Sequence, residues 1–144
     1  MHDFPHHYQV GARLNDPTAD VVIVASGLPD LPTAPPVEFG GPGDRWSPET
    51  LLMAAVCDCF VLGFKIIASA SRLTWSKLDV RVAGTLDRVE KTMRFTHIAI
   101  VAELTVPAEQ AARAPRILEK AESNCLVMNS LTAVVNLESK IVVG

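Results

Sequence analysis

No stretch of this chain is basic. Its 13 Lys and Arg are scattered, 16 Asp and Glu outnumber them, and the net charge is −3. A protein that grips nucleic acid concentrates positive charge on one face, so no nucleic-acid partner is expected. Cysteine is scarce as well, with three in 144 residues. That excludes a disulfide framework and leaves free or catalytic thiols. Charged residues are only 20% of the chain against 49% hydrophobic. So apolar a balance predicts buried surface beyond one small core, such as a subunit interface.

Long apolar runs are also lacking. Leu51 to Phe64 is the most apolar stretch, and it contains Asp58. It falls short of the roughly 20 residues a membrane span requires, so no membrane partner is expected. The segment Met1 to His7 has no basic stretch leading into an apolar one, so no signal peptide is expected. A soluble, cytoplasmic protein follows, with residues 1–144 forming a single domain.

The usual catalytic and cofactor signatures are missing. There is no Ser-His-Asp arrangement, no Walker loop and no dinucleotide fingerprint. Gly40-Gly41-Pro42-Gly43 is not G-x-G-x-x-G and lacks the strand and helix on either side. His2, His6 and His7 make a His-rich tail with no fixed partner ligands after it, and His97 falls on the solvent phase of its strand. No metal and no cofactor are expected.

What is present reads as α+β. Residues 7–14 and 20–25 suit two strands, separated by the turn Asn15-Asp16-Pro17-Thr18. Residues 26–45, rich in Pro and Gly, suit a long loop of the kind that is functional or mobile. Ser47-Pro48-Glu49 then starts a helix. Serine caps it, proline takes the first helical position, and glutamate complements the dipole. The helix should run to about Ser71 with almost no polar face, so it must be covered on several sides. Residues 77–89 and 94–106 alternate as a hairpin. Pro107 ends the second strand, and Pro115 breaks the following helix so that it begins afresh near Ala114. A last strand spans residues 133–143. There is no internal repeat.

Three cysteines carry the candidate chemistry. Cys59 lies within the apolar helix and Cys125 just past the second helix. A thiol is a weak nucleophile, with a pKa near about 8.5, until a cation or hydrogen-bond donor favours its thiolate. Two thiols that meet form a nucleophile and a partner to resolve its oxidised form. The plain alternative for Cys59 is a small buried residue. Cys57 and Cys59 differ by roughly 200° around a helix, so they face opposite ways. Cys57 is therefore expected in the core or at an interface. Glu49 precedes Cys59 by roughly 15 Å of helix, so an arginine would have to bridge them. Otherwise Glu49 is a first-turn dipole partner. Arg13 and Arg45 are the candidate cations, or ordinary surface charges.

The stretches Glu38-Phe39-Gly40-Gly41-Pro42-Gly43 and Ser47-Pro48-Glu49 through Cys59-Phe60, with Ser123-Asn124-Cys125, resemble the OsmC/Ohr family of osmotically inducible and organic-hydroperoxide-resistance proteins. The resemblance implies an OsmC-like fold. Antiparallel sheets pack around a long buried central helix, and two copies intertwine as a homodimer. It implies a peroxidatic Cys59 and a resolving Cys125. Glu49 would hold a catalytic arginine, for which Arg13 is the nearest match and Arg45 the other candidate. Phe39, Trp46, Phe60 and Met128 would form an apolar substrate pocket. The sequence departs from the family at Leu126, where proline is common, and at Cys57-Asp58, where a small neutral pair is usual.

The expected function is therefore a thiol peroxidase that reduces organic hydroperoxides to alcohols through a Cys59 sulfenic acid and a Cys59–Cys125 disulfide. An external dithiol would reset it, as dihydrolipoyl groups do in part of the family. The alternative is a non-enzymatic dimer that binds an apolar ligand or partner. A redox role for Cys57 paired with Cys59 is disfavoured by helical geometry.

Overall fold

The computed structural model describes residues 3–144 and divides the chain into two compact units, one ending at Leu51 and the other running from Leu52 to Gly144. The first holds a small antiparallel sheet of β1 (Gly11–Arg13), β2 (Val21–Val24) and β3 (Leu31–Thr33), with β2 central. The two expected strands are present but shorter. The third lies inside the stretch expected to be a loop. Pro32 sits opposite Val22 within it, and a proline with no N–H to give is tolerated on such a short edge strand. Beyond it, Ala34 N–H donates to the Trp46 carbonyl at 3.0 Å, and Thr33 bridges Trp46. Gly41 passes so close to the Pro35 carbonyl that a Cβ there would lie 1.6 Å from its oxygen. Only glycine fits that approach.

Helix α1 (Pro48–Ala70) starts where the sequence predicts. Ser47 is buried and its Oγ accepts the Thr50 N–H at 3.2 Å, while the Thr50 hydroxyl accepts the Ser47 N–H at 2.9 Å. This is a reciprocal cap with threonine in place of the usual Glu or Gln. At its far end Arg72 takes a left-handed conformation at φ 53°. Leu73 N–H then reaches back to the Ala68 carbonyl at 2.9 Å and Arg72 N–H to that of Ser69 at 3.0 Å. That pair of bonds is a Schellman stop.

The second unit is built on β4 (Lys77–Val89), β5 (Thr92–Val106) and β6 (Val134–Val143). β4 and β5 form the predicted hairpin. β6 pairs with β5 in parallel, so this sheet is mixed, which corrects the expectation of antiparallel sheets. The reason is connectivity. Residues 107–133 leave β5 and return through α2 (Ala114–Ser123) and the single turn α3 (Leu126–Asn129), and a crossover of that length permits parallel return. Pro115 sits at the start of α2, where its missing N–H costs nothing.

The core of this unit is a stack of ridges. Val56, Phe60, Phe64 and Ala68 recur every fourth residue along α1 and are fully buried. They meet Ile98, Ile100, Ala102, Leu104 and Val106 from β5, and Ala114, Ile117, Leu118 and Ala121 from α2. Trp75 meets Phe64 edge-on at 5.3 Å. The Arg113 guanidinium ties the approach to α2 to the Ser71 carbonyl, just past the end of α1.

The helix is less enclosed than expected. Leu62 is 50% exposed and Ile66 71% exposed. With 23 residues and a mean hydropathy of 2.2 over its most apolar window, α1 is long and apolar enough to cross a bilayer by length and composition alone. The helix is longer than the apolar run ending at Phe64. Ile66, Ile67 and Ala68 carry the apolar character past Lys65.

Gly84 in β4 sets how closely α1 seats. A Cβ there would lie 2.5 Å from Met53 Sδ and 2.8 Å from the Phe95 ring. The methionine is flexible, but the ring is not. Gly84→Val should therefore cost about 1–3 kcal/mol, read as a lower urea midpoint. An unchanged midpoint would show that the helix does not depend on this approach.

Candidate functional site

The buried ridge of α1 fixes the helix rotation and so aims its two thiols. Cys57 lies over β4, where its Sγ donates a long, weak hydrogen bond to the Val80 carbonyl at 3.9 Å. Burial, aided by the charge of Asp58, pushes its thiol above the ordinary value. Such a thiol is a poor nucleophile. Cys59, half-buried, points elsewhere, packs against the core cluster that holds Cys125, and is among the groups that push the Cys125 thiol up. The two thiols expected to cooperate are thus in contact, while Cys57 faces away.

Cys125 is 2% exposed and caps α3 in an extended conformation. Its backbone is held on both sides. Cys125 N–H donates to the Glu122 carbonyl at 3.1 Å, and the Cys125 carbonyl accepts from Asn129 N–H at 2.9 Å. Asn129 Nδ2 also donates to the Ser123 carbonyl at 3.3 Å. Sequence reasoning missed Asn129 and Ser130, whose side chains lock this turn. Their signal was the Asn-Ser pair just after the apolar Leu126-Val127-Met128, which suits a helix end closed by side-chain bonds.

The expected arginines are engaged otherwise. In the first unit Arg13 pairs with Asp30 at 3.2 Å, and Arg45 pairs with Asp20 and Asp44, each at 3.0 Å. All of these groups are substantially exposed. Neither arginine bonds to Glu49, whose Oε2 is buried without a hydrogen-bond partner. The expected apolar lining divides by environment. Phe39 and Trp46 in the first unit are about half exposed, at 50% and 48%. Trp46 and Arg45 border an open cleft of about 510 Å³, with Leu31 and Pro32 opposite. Phe60 is wholly enclosed and Met128 nearly so, and both pack in the core of the second unit.

A family model described as OsmC-like protein matches residues 41–140. An uncharacterised Bacillus subtilis protein is 23% identical over 92% of this chain and 91% of its own length. Peroxiredoxin OsmC from Escherichia coli is 29% identical over 64% of this chain and 64% of its own. Among solved structures, an OsmC-like protein of unknown function from Vibrio cholerae superposes with a TM-score of 0.82 at 15% identity, covering 96% of this chain and 100% of that one. An organic hydroperoxide resistance protein from Elizabethkingia anophelis superposes at 0.75 with 17% identity, covering 98% and 100%. These structural likenesses establish the fold.

Burial pushes the Cys125 thiol from 9.0 up to about 11. The contact with Cys59 acts in the same direction, and the nearby N–H groups of Met128 and Val127 act against it. This links pH to stability. Below about pH 9 both folded and unfolded states hold the proton, and the contribution is fully present. As pH rises from 9 toward 11 the unfolded chain releases its proton first, so the folded state loses ground, by about 2 kcal/mol in all. Urea titrations at pH 8 and pH 11 should show this loss reduced in Cys125→Ser. Equal losses in both proteins would refute the assignment.

Proposed function

From the premise that the chain belongs to the OsmC-like protein family, we propose that it is a two-cysteine peroxidase acting on organic hydroperoxides. The observation that carries this reading is the contact between the Cys59 and Cys125 thiols inside one unit. The unequal burial of these thiols supports a division of labour. The better solvated Cys59 attacks and the enclosed Cys125 resolves.

In the first step the Cys59 thiolate attacks one peroxide oxygen. The O–O bond breaks, the alkoxide leaves and takes a proton as alcohol, and Cys59 becomes a sulfenic acid. The Cys125 sulfur then attacks the Cys59 sulfur and releases water. The two electrons given to the peroxide are recovered when an external dithiol of the cytoplasm reduces the disulfide. No bound cofactor takes part.

Glu49 and an arginine complete the proposal. A buried carboxylate oxygen with no donor is costly, and a guanidinium satisfies it bidentately. Arg13 can meet that need because the pair it gives up is exposed, and exposed pairs contribute only about 0–1 kcal/mol. Arg45 would have to give up two such partners. We also take the open face of α1, with Leu62 and Ile66, to be covered by a second copy of the chain, giving a homodimer.

One equivalent of cumene hydroperoxide added to the reduced protein should consume two thiols and leave Cys57 free. Mass spectrometry should map a Cys59–Cys125 disulfide, and Cys59→Ser should abolish turnover. Survival of all three thiols would reject the enzyme reading in favour of an apolar-ligand or partner-binding dimer.

A further inference from the structure

The turn that carries Cys125 has little apolar anchorage. α3 is four residues long, and a single helical turn does not hold itself together without outside support. Met128 is its one buried side chain, and Leu126 is 71% exposed. Yet the placement of this turn decides whether the Cys125 sulfur can bond to that of Cys59. A disulfide requires the two Cα atoms to lie within about 4.4–6.8 Å of each other.

Polar bonds supply the hold, and most of them stay on one side of Cys125. Asn124 Nδ2 donates to the Lys120 carbonyl at 2.8 Å and closes the end of α2. The Ser130 hydroxyl donates to the Leu126 carbonyl at 2.8 Å and closes α3. Asn129 is different. Its backbone N–H donates to the Cys125 carbonyl at 2.9 Å, and its Nδ2 donates to the Ser123 carbonyl at 3.3 Å. One residue thus grips the chain at Cys125 and again just before it. Among the described residues, no other side-chain hydrogen bond joins the chain before Cys125 to the chain after it. Asn129 is exposed, so core packing does not account for it. The bond also fixes the chemistry needed at this position. A carbonyl only accepts, so the NH2 end of the amide must face Ser123, and an ionised aspartate of similar size has no donor to offer.

We infer that Asn129 is a positioning residue for the resolving step, its side chain clamping the turn so that Cys125 is held ready to bond to Cys59. The inference rests on the peroxidase reading and adds a residue that touches neither sulfur. Asn129 acts through the Ser123 carbonyl and the backbone of Cys125. In the step it serves, the Cys125 sulfur attacks the sulfur of Cys59–SOH. The S–S bond forms, the S–OH bond breaks, and the hydroxide leaves with the Cys125 proton as water. A clamped turn presents one sulfur to the other at high effective concentration. A loosened turn leaves the sulfenic acid of the half-buried Cys59 waiting, open to other reagents.

The test uses thiol–disulfide exchange in a Cys57→Ala background. Oxidised dithiothreitol converts the protein dithiol to the Cys59–Cys125 disulfide and is itself reduced. The equilibrium constant reads the effective concentration of the two sulfurs, with no peroxide present. Asn129→Ala should lower it by about three- to tenfold, the range expected for one net hydrogen bond. Asn129→Asp keeps the size and loses the donor, and at neutral pH should lower it at least as far. Asn124→Ala loses a bond confined to the end of α2 and should change it much less. An unchanged constant in Asn129→Ala, a parent-like Asn129→Asp, or equal shifts in Asn124→Ala and Asn129→Ala would overturn the inference. So would a parent protein in which the disulfide does not form. Cumene hydroperoxide added with dimedone, which captures sulfenic acid, separates the two ideas. With a reactive Cys59, Asn129→Ala should raise the share captured as the dimedone adduct at the expense of the disulfide, and an unchanged share sinks the clamp alone. An inert Cys59 sinks the peroxidase reading, while the exchange constants still decide the clamp.

Discussion

Everything at the thiol pair depends on the rotation of α1, and one ridge fixes that rotation. Val56, Phe60, Phe64 and Ala68 lie on a single line and are wholly enclosed by β5 and α2. Each buried Phe is worth roughly 1.5–3 kcal/mol relative to exposure. Turning the helix by one residue would expose two of them. Because Cys59 adjoins Phe60, the same constraint that holds the core aims the thiol away from β4 and toward the turn bearing Cys125. The aim of a reactive group is here a by-product of packing.

The same ridge explains the inequality of the three thiols. Cys57 is pressed toward a backbone carbonyl and has an acidic neighbour, so nothing near it favours a thiolate. Cys125 is enclosed and sits on a short turn whose N–H groups offset only part of the burial cost. Cys59 is left with more solvent than Cys125. Chemistry is assigned by environment, since residue type is identical at all three positions.

Much of this was legible in the sequence, for identifiable reasons. The Ser47-Pro48-Glu49 start, the alternation in 77–89 and the break at Pro115 are local signals, and each corresponds to a local structure. The opposite facing of Cys57 and Cys59 follows from helical geometry alone. Other features were not local. Alternation tells which residues face the core but not whether a neighbouring strand runs parallel, so the direction of β6 was not readable. β3 was hidden because Pro32 reads as a breaker, while an edge position removes the objection. Arg13 showed only its charge. Its partner Asp30 is brought near by the turn of a three-strand sheet, and no spacing rule announces that.

The unpartnered oxygen of Glu49 and the open Leu62 and Ile66 face share one physical character. Each is a cost that a single chain has not offset. A buried carboxylate oxygen lacks a donor, and large apolar side chains on a helix apolar all round meet solvent. The apolar composition of the chain poses the same problem at the level of the sequence, since surface beyond one small core must be buried somewhere. By contrast the thiol pair is complete within its own unit, with contact, burial and a locked backbone all supplied by residues 52–144. The meeting of the two thiols is therefore intrinsic to the second unit, while Glu49 and the open face of α1 are still wanting partners.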